Sequence, residues 1–299
     1  MHYSEVLKLN LVEGIGRKTI LKLKGLCDRE DLKSLEFKDM MDIFDEMSDR
    51  KRIEYNYNVI QIETERILEK CYNENIKIST CFDDDFPEKF NEINDDSPAL
   101  LFIKGDDSML RDRCNIAVIG TRNPSERGFD LGVKYSETMS SKGMSIISGL
   151  ALGCDTAAHT GALKAGGKTL VTLPSGIGHI YPKSNTRLYN EIVEKGGCII
   201  SENNPGEPPR KYDFINRDRL QAALSEGVLI MESPLNSGTV HTYNYSVKYN
   251  KKIACSIHDV GDGKNMELNE KIRNGKKGVA IYNVTDLEKW LQKIDLEVL

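Results

Sequence analysis

The chain has 299 residues, 39% of them hydrophobic and 29% charged, with a formal net charge of −5. That is the composition of a folded globular protein with room for one large and one small domain, and its acidic balance argues against nucleic-acid binding over the whole surface while leaving room for a local cation patch. No apolar run could cross a bilayer, MHYSEVLKLN has no signal-peptide core, and none of the seven cysteines forms a CxxC pair, so reduced thiols in a cytoplasmic protein are expected.

Residues 1–80 read as a small helical domain. In LVEGIGRKTILKLKGL (11–26) the turn Gly14-Ile15-Gly16 joins two apolar-periodic stretches. Such a turn either offers backbone N–H groups to a phosphate, as in a helix-hairpin-helix or SAM-like module, or only joins two structural helices. Residues 50–73 have helical spacing without Gly or Pro. IKIST, DDDFPEKF and ALLFIKG then read as a connector that docks onto the larger domain, and 81–299 as that one domain with its connector included.

From 115 onward the runs NIAVIG, MSIISG, KTLVTL, GCIISE, GVLIME, KKIACSI and GVAIYN alternate with helical segments at 126–142, 154–165, 186–195, 217–225 and 239–249. Short Val/Ile/Leu runs separated by helices predict an α/β fold, a doubly wound and mostly parallel sheet covered on both faces. Ligands of such sheets sit beyond the carboxyl ends of the strands. The first of these turns supplies Gly120, Thr121 and Arg122, a glycine followed by a cation rather than a dinucleotide GxGxxG.

The second turn, SGLALGCDTAAH, holds Gly149 and Gly153 before a helix. It reads either as an anion-binding nest braced by an Asp155–His159 pair, or as a capping Asp beside a core His. PSGIGHIYPKSN brings Ser175, Gly176, Tyr181, Lys183 and Asn185; Ser175 lacks a nucleophile elbow and an activating base, which favours a phosphate-contacting or structural loop. PRKYDFINRDR clusters Arg210, Lys211, Arg217 and Arg219 with Tyr212 and Phe214, cations for phosphates and aromatics for bases, unless it is a solvated basic turn. Ser237, Gly238 and Thr239 precede another helix as an anion cradle, an N-cap, or both. Asp155, His159, His179 and His241 lack metal-ligand spacing, so neither metal nor cofactor is expected.

Taken together, IAVIGTRNPSERG, IISGLALGCDTAAHTGALKAGGKTLVTLPSGIGHIYP, DFINRDRLQAALSEGVLIMES and SGTVHT resemble the DNA-processing protein A family (DprA/Smf), in one order from about 82 to about 288. The resemblance implies an extended Rossmann-like fold after a small helical domain. It implies a non-catalytic protein that binds and protects single-stranded DNA, helps load the RecA recombinase in transformation, and forms a homodimer. It makes Arg122 the phosphate-gripping cation, puts Gly149, Gly153, Asp155 and His159 on the family's loop and helix, matches Tyr181, Pro182 and Asn185 to YPxxN, and matches Phe214, Arg217 and Arg219 to FPxRNR. The chain departs from the pattern at Ile215, Asp218, His179 and His241, and ends without the winged-helix domain of many members. The alternative reading is a binder or hydrolase of a nucleotide-derived small molecule; PLNSGTVHT lacks the glycine pair and acid of the related PGGxGTxxE hydrolases.

Overall fold

The computed structural model describes residues 2–30, 35–47, 53–111, 114–260 and 265–298. Its first part is helical: α1 (Tyr3–Leu11), α2 (Arg17–Glu30), α3 (Phe37–Met47) and α4 (Tyr57–Asn73). The Gly14–Gly16 turn links α1 and α2, and Gly14 adopts the left-handed φ of +89° that favours glycine. Helix α4 begins later than its periodic stretch, because the Asn56 side chain caps it by accepting from Val59 N; residues 50–52 of that stretch lie outside the described residues.

The remaining elements are β1 (Lys77–Thr80), α5 (Glu88–Asn91), β2 (Leu100–Gly105), β3 (Asn115–Ile119), α6 (Glu126–Ser141), β4 (Ser145–Ser148), α7 (Cys154–Lys164), β5 (Thr169–Thr172), α8 (Thr186–Glu194) and β6 (Cys198–Ser201). They continue through α9 (Lys211–Leu224), β7 (Gly227–Ile230), α10 (Thr239–Lys248), β8 (Lys252–Ser256), α11 (Glu267–Asn274), β9 (Val279–Ile281) and α12 (Val284–Val298). One nine-stranded sheet runs in the order β1-β2-β6-β5-β4-β3-β7-β8-β9. All seven apolar runs form strands, β3 to β9, and pair in parallel. This is the expected doubly wound α/β fold.

The connector does more than dock. IKIST and ALLFIKG become β1 and β2, antiparallel to each other, and β2 pairs antiparallel with β6. The sheet therefore starts inside residues 1–80. Alternate side chains of β3 enter opposite cores, as the two-residue period of a strand requires. Ile116 and Val118 pack among Tyr135, Met139 and Trp290, whereas Ala117 and Ile119 belong to the core shared with the helical part. None of the described helices is long and apolar enough to cross a membrane.

Helix α9 differs most from its expected extent. It starts at Lys211, not 217, because the Asp213 carboxylate accepts from the backbone N–H of Arg210 at 2.7 Å and starts the helix there. Arg217 and Arg219 are consequently mid-helix. Two residues apart at 100° per residue, they leave the helix in widely different directions.

Candidate nucleic-acid interface

The chain proceeds from β3 through β4 and β5 to β6 on one side, then returns to place β7 on the other side of β3. Such a reversal opens a crevice at the strand ends. Here it is a cleft of about 400 Å³, whose walls include Thr121 and Arg122 after β3, Asp155 from α7, Arg217 and Asp218 from α9, and Thr239 from α10.

Two anion sites that such a fold ordinarily offers are occupied by the protein's own carboxylates. Helix α6 is capped by Ser125, whose backbone N–H and hydroxyl both bond the fully buried Glu232 at 2.9 and 2.5 Å. His258 Nε2 lies 2.8 Å from the same carboxylate, and its Nδ1 lies 2.9 Å from Ser256 Oγ. Burial alone would raise the Glu232 pKa, but the bonds from His258 and Ser125 outweigh it and hold the carboxyl below its ordinary value. A Cβ on Gly128 would meet Glu232 Oε1 at 1.8 Å, so the space is full. A pyrophosphate has no room where a dinucleotide fold would hold it.

The loop before α7 is closed in the same way. Asp155 Oδ2 accepts from Gly149 N at 3.1 Å and Ala151 N at 3.2 Å. Of the two readings of this segment, the capping Asp beside a core His holds and the Asp155–His159 pair is not formed. His159 is fully buried with its Nδ1 2.7 Å from Thr169 Oγ1, and burial, with a smaller contribution from Arg217, pushes its pKa down to about 3. It is a neutral core histidine. Gly149 and Gly153 likewise serve packing rather than an approaching anion. A Cβ at 149 would fall 1.3 Å from Arg217 Nη1, and one at 153 would fall 2.5 Å from the Arg122 carbonyl oxygen.

Arg122, Arg217 and Arg219 have different fates. Arg122 is exposed at the cleft mouth, its guanidinium 5.5 Å from the centroid of the Phe214 ring. Arg217 is buried along the wall, 4.0 Å from Asp155 and 3.4 Å from Asp218. With the Gln221 amide oriented to satisfy its neighbours, Gln221 Oε1 accepts from Arg217 Nη1 at 2.7 Å and Gly149 N at 3.0 Å.

Arg219 points the other way and is only 1% exposed. It donates to both Glu202 oxygens at 2.6 and 2.5 Å, to the Asp96 carbonyl at 2.7 Å and to the Asn216 carbonyl at 2.5 Å. The expectation of a phosphate cation at 219 is corrected on that ground: four of its five N–H donors are engaged within the protein, and the cleft is on the opposite side of the helix.

The other expected residues also divide. Thr121, Phe214, Ser237, Gly238 and Thr239 line the cleft with Gly120, although Gly120 has no space for a Cβ, which would lie 2.5 Å from Cys154 Sγ. Ser237 Oγ is engaged by Ser233 Oγ and Pro234 O. Ser175 is fully buried and donates to His179 O at 2.6 Å, and a Cβ on Gly176 would strike Asn204 O at 1.8 Å, so both hold a loop rather than face a ligand. Asn185 fastens the β4–α7 loop by donating to Leu150 O and Ala151 O, while Lys183 is exposed. Tyr181 stands edge-on to Phe214 at 5.9 Å and, with Leu152 and Pro182, walls a smaller apolar crevice joined to the cleft at Arg122 and Arg217.

Sequence reasoning missed the Glu232–His258 pair. Its signal was an acid directly after the apolar run GVLIM, a position where the strand is still buried. It also passed over Gln221, which holds Arg217. Among the described residues no three His, Cys, Asp or Glu side chains gather as a metal site.

A family model described as DNA recombination-mediator protein A matches residues 77–292. The DNA processing protein DprA of Streptococcus pneumoniae is 31% identical over 267 residues, 87% of this chain and 93% of that protein. The X-ray structure of the same species' DprA superposes with a TM-score of 0.78 at 29% identity, covering 97% of this chain and 98% of that one. A Helicobacter pylori DNA processing protein A structure, described for its single-stranded DNA binding mode, has a TM-score of 0.62 at 29% identity and covers 73% of this chain and 97% of its own.

Proposed function

The chain belongs to the DNA recombination-mediator protein A family, and from that premise we propose that it binds single-stranded DNA along the cleft between β3, β7 and α9 without chemically altering it. The observation that carries this reading is the exposed Arg122 stacked near Phe214 at the mouth of a cleft whose neighbouring anion sites are already filled by Glu232 and Asp155. A phosphate entering here meets Arg122 first. Phe214, Tyr181 and Leu152 beside it offer apolar surface to unstacked bases. Gly238 and Thr239, at the start of α10, add an N-terminal helix end on the far wall.

The same reading extends to an assisting role for a RecA recombinase in transformation, to a homodimer and to the cytoplasm. These rest on the family resemblance. Co-sedimentation with RecA on a single strand, and the mass of the free protein in solution, test the first two.

Fluorescence anisotropy with a labelled thymidine strand tests binding itself. Affinity is expected to fall steeply with salt, with a slope of about −0.7 per phosphate neutralised, and Arg122→Ala is expected to flatten that slope by about one contact. Failure of any strand to bind at low salt would falsify the reading. In that event the cleft volume, about 400 Å³, suits a mononucleotide, and thermal shifts with nucleoside monophosphates followed by a test for base release examine that second reading.

A further inference from the structure

Two charged groups on the cleft wall are left short of partners. Asp218 is 8% exposed, yet its carboxylate accepts no hydrogen bond from any described residue, and its nearest ion-pair partner is Arg217 Nε at 3.4 Å. That Nε–H is itself buried and without a hydrogen-bond partner. Both side chains line the same cleft. Buried polar groups are ordinarily hydrogen-bonded, because leaving them bare carries the full desolvation penalty.

An acceptor-only carboxylate and a donor-only guanidinium, side by side on an open cavity, call for a ligand that presents donors to one and an acceptor to the other. A phosphate satisfies Arg217 alone and is repelled by Asp218. The nucleobases differ in this respect, and the inference rests on the reading that nucleotides enter the cleft. Adenine and cytosine each carry one amino donor on their pairing edge, and thymine carries one N–H between two carbonyl oxygens. Guanine alone has two adjacent donors, N1–H and the 2-amino group, next to the acceptor O6.

We propose that Asp218 and Arg217 read the Watson–Crick edge of a guanine. The two carboxylate oxygens accept from N1–H and the 2-amino group, and the Arg217 guanidinium, which lines the same cleft, donates to O6. Arg122 at the mouth holds the attached phosphate. The recognised chemistry is the guanine base, within a strand or in a free guanine nucleotide. Asp218 is suited to such a ligand. Burial pushes its pKa up to about 7, with Arg217 and Arg122 lowering it and Asp155 raising it, so two donated hydrogen bonds would hold it in the charged form.

The test places one guanine, inosine, adenine or cytosine in a thymidine strand and measures binding to the full chain at about pH 8, above the Asp218 pKa. The guanine strand is expected to bind about tenfold tighter than the all-thymidine host, the order of one good bidentate base contact. Inosine keeps O6 and N1–H but lacks the 2-amino group, so it should lose most of that gain. This arm needs no variant. Asp218→Asn, a near-isosteric change, should lose the guanine advantage over the all-thymidine host.

A host strand that binds while guanine adds nothing overturns the proposal and leaves the strand reading intact. If no strand binds, the strand reading fails, and thermal shifts with GMP against AMP decide the matter. A larger shift with GMP supports guanine recognition of the free nucleotide, and equal shifts overturn it.

Discussion

Arg217 and Arg219 stand two residues apart on α9 and meet opposite environments. On the Arg219 side, the helix faces Glu202 and the Asp96 backbone, and all the geometry is satisfied within the protein: two carboxylate contacts and two carbonyl acceptors on a side chain with almost no exposure. On the Arg217 side, the helix faces a cleft, the guanidinium is held at one end by Gln221, and its Nε is left bare next to an equally bare carboxylate. The same residue type serves as a structural tie in one place and lines an open cleft in the other. Composition and spacing do not separate them. What separates them is whether the protein supplies the partners.

The largest expected effect falls on the closed side. Arg219→Met removes the counter-charge of Glu202 and should cost about 3–5 kcal/mol of stability, read from denaturant unfolding. Strand binding by the remaining folded protein should be little changed. A normal midpoint for that variant would show that the closed side is not the tie described here.

Gly149→Ala attacks the open side through packing. Its new Cβ would overlap Arg217 Nη1, so the guanidinium must move, at a cost of about 1–3 kcal/mol and with loss of strand affinity. Unaltered affinity in this variant would mean that the position of Arg217 is irrelevant to binding. Arg217→Met should differ from Arg219→Met in binding, with strand affinity reduced about tenfold. If both arginine variants behaved alike, the contrast between the two sides would collapse.

The smallest effect is the pH dependence of Asp218. Its folded pKa, near 7, lies above the ordinary carboxylate value of 3.8, so the folded state holds the proton more tightly than the unfolded chain. Stability from this group is therefore full below about pH 4 and is lost as the pH rises through about 7. Asp218→Asn does not titrate. It should unfold at a temperature a few degrees above the natural chain at about pH 8, with the difference vanishing near pH 4. An equal difference at both pH values would place the carboxylate in an ordinary, solvated setting.

Much of the fold was legible because buried parallel strands need uninterrupted apolar runs, and all seven such runs after residue 114 became strands. The connector was harder. IKIST and ALLFIKG have strand composition, but their antiparallel union with β6 is a long-range pairing that no local pattern encodes. At the site, Arg122 and Phe214 were legible as a cation and an aromatic beside strand ends. The roles of Gly149 and Gly153 were not, because a glycine that admits an anion and one that admits an arginine or a backbone carbonyl look the same in a sequence. The Asp155–His159 spacing suited a pair on one helix face, yet Asp155 turned to two backbone N–H groups and His159 to Thr169.

By itself the sequence determined the layered α/β architecture, through the period and length of its apolar runs, and it concentrated glycines, cations and aromatics at the carboxyl ends of the strands. Only the tertiary structure decided which of those groups remain available to a ligand. Glu232 comes from the turn after β7 to fill the α6 site, Asp155 in the first turn of α7 closes the loop before its own helix, and Glu202 claims Arg219. Availability is a matter of unmet hydrogen bonds. Whether a donor or acceptor has met its partner depends on residues far away in the chain, brought close only by the packing of the sheet and its helices.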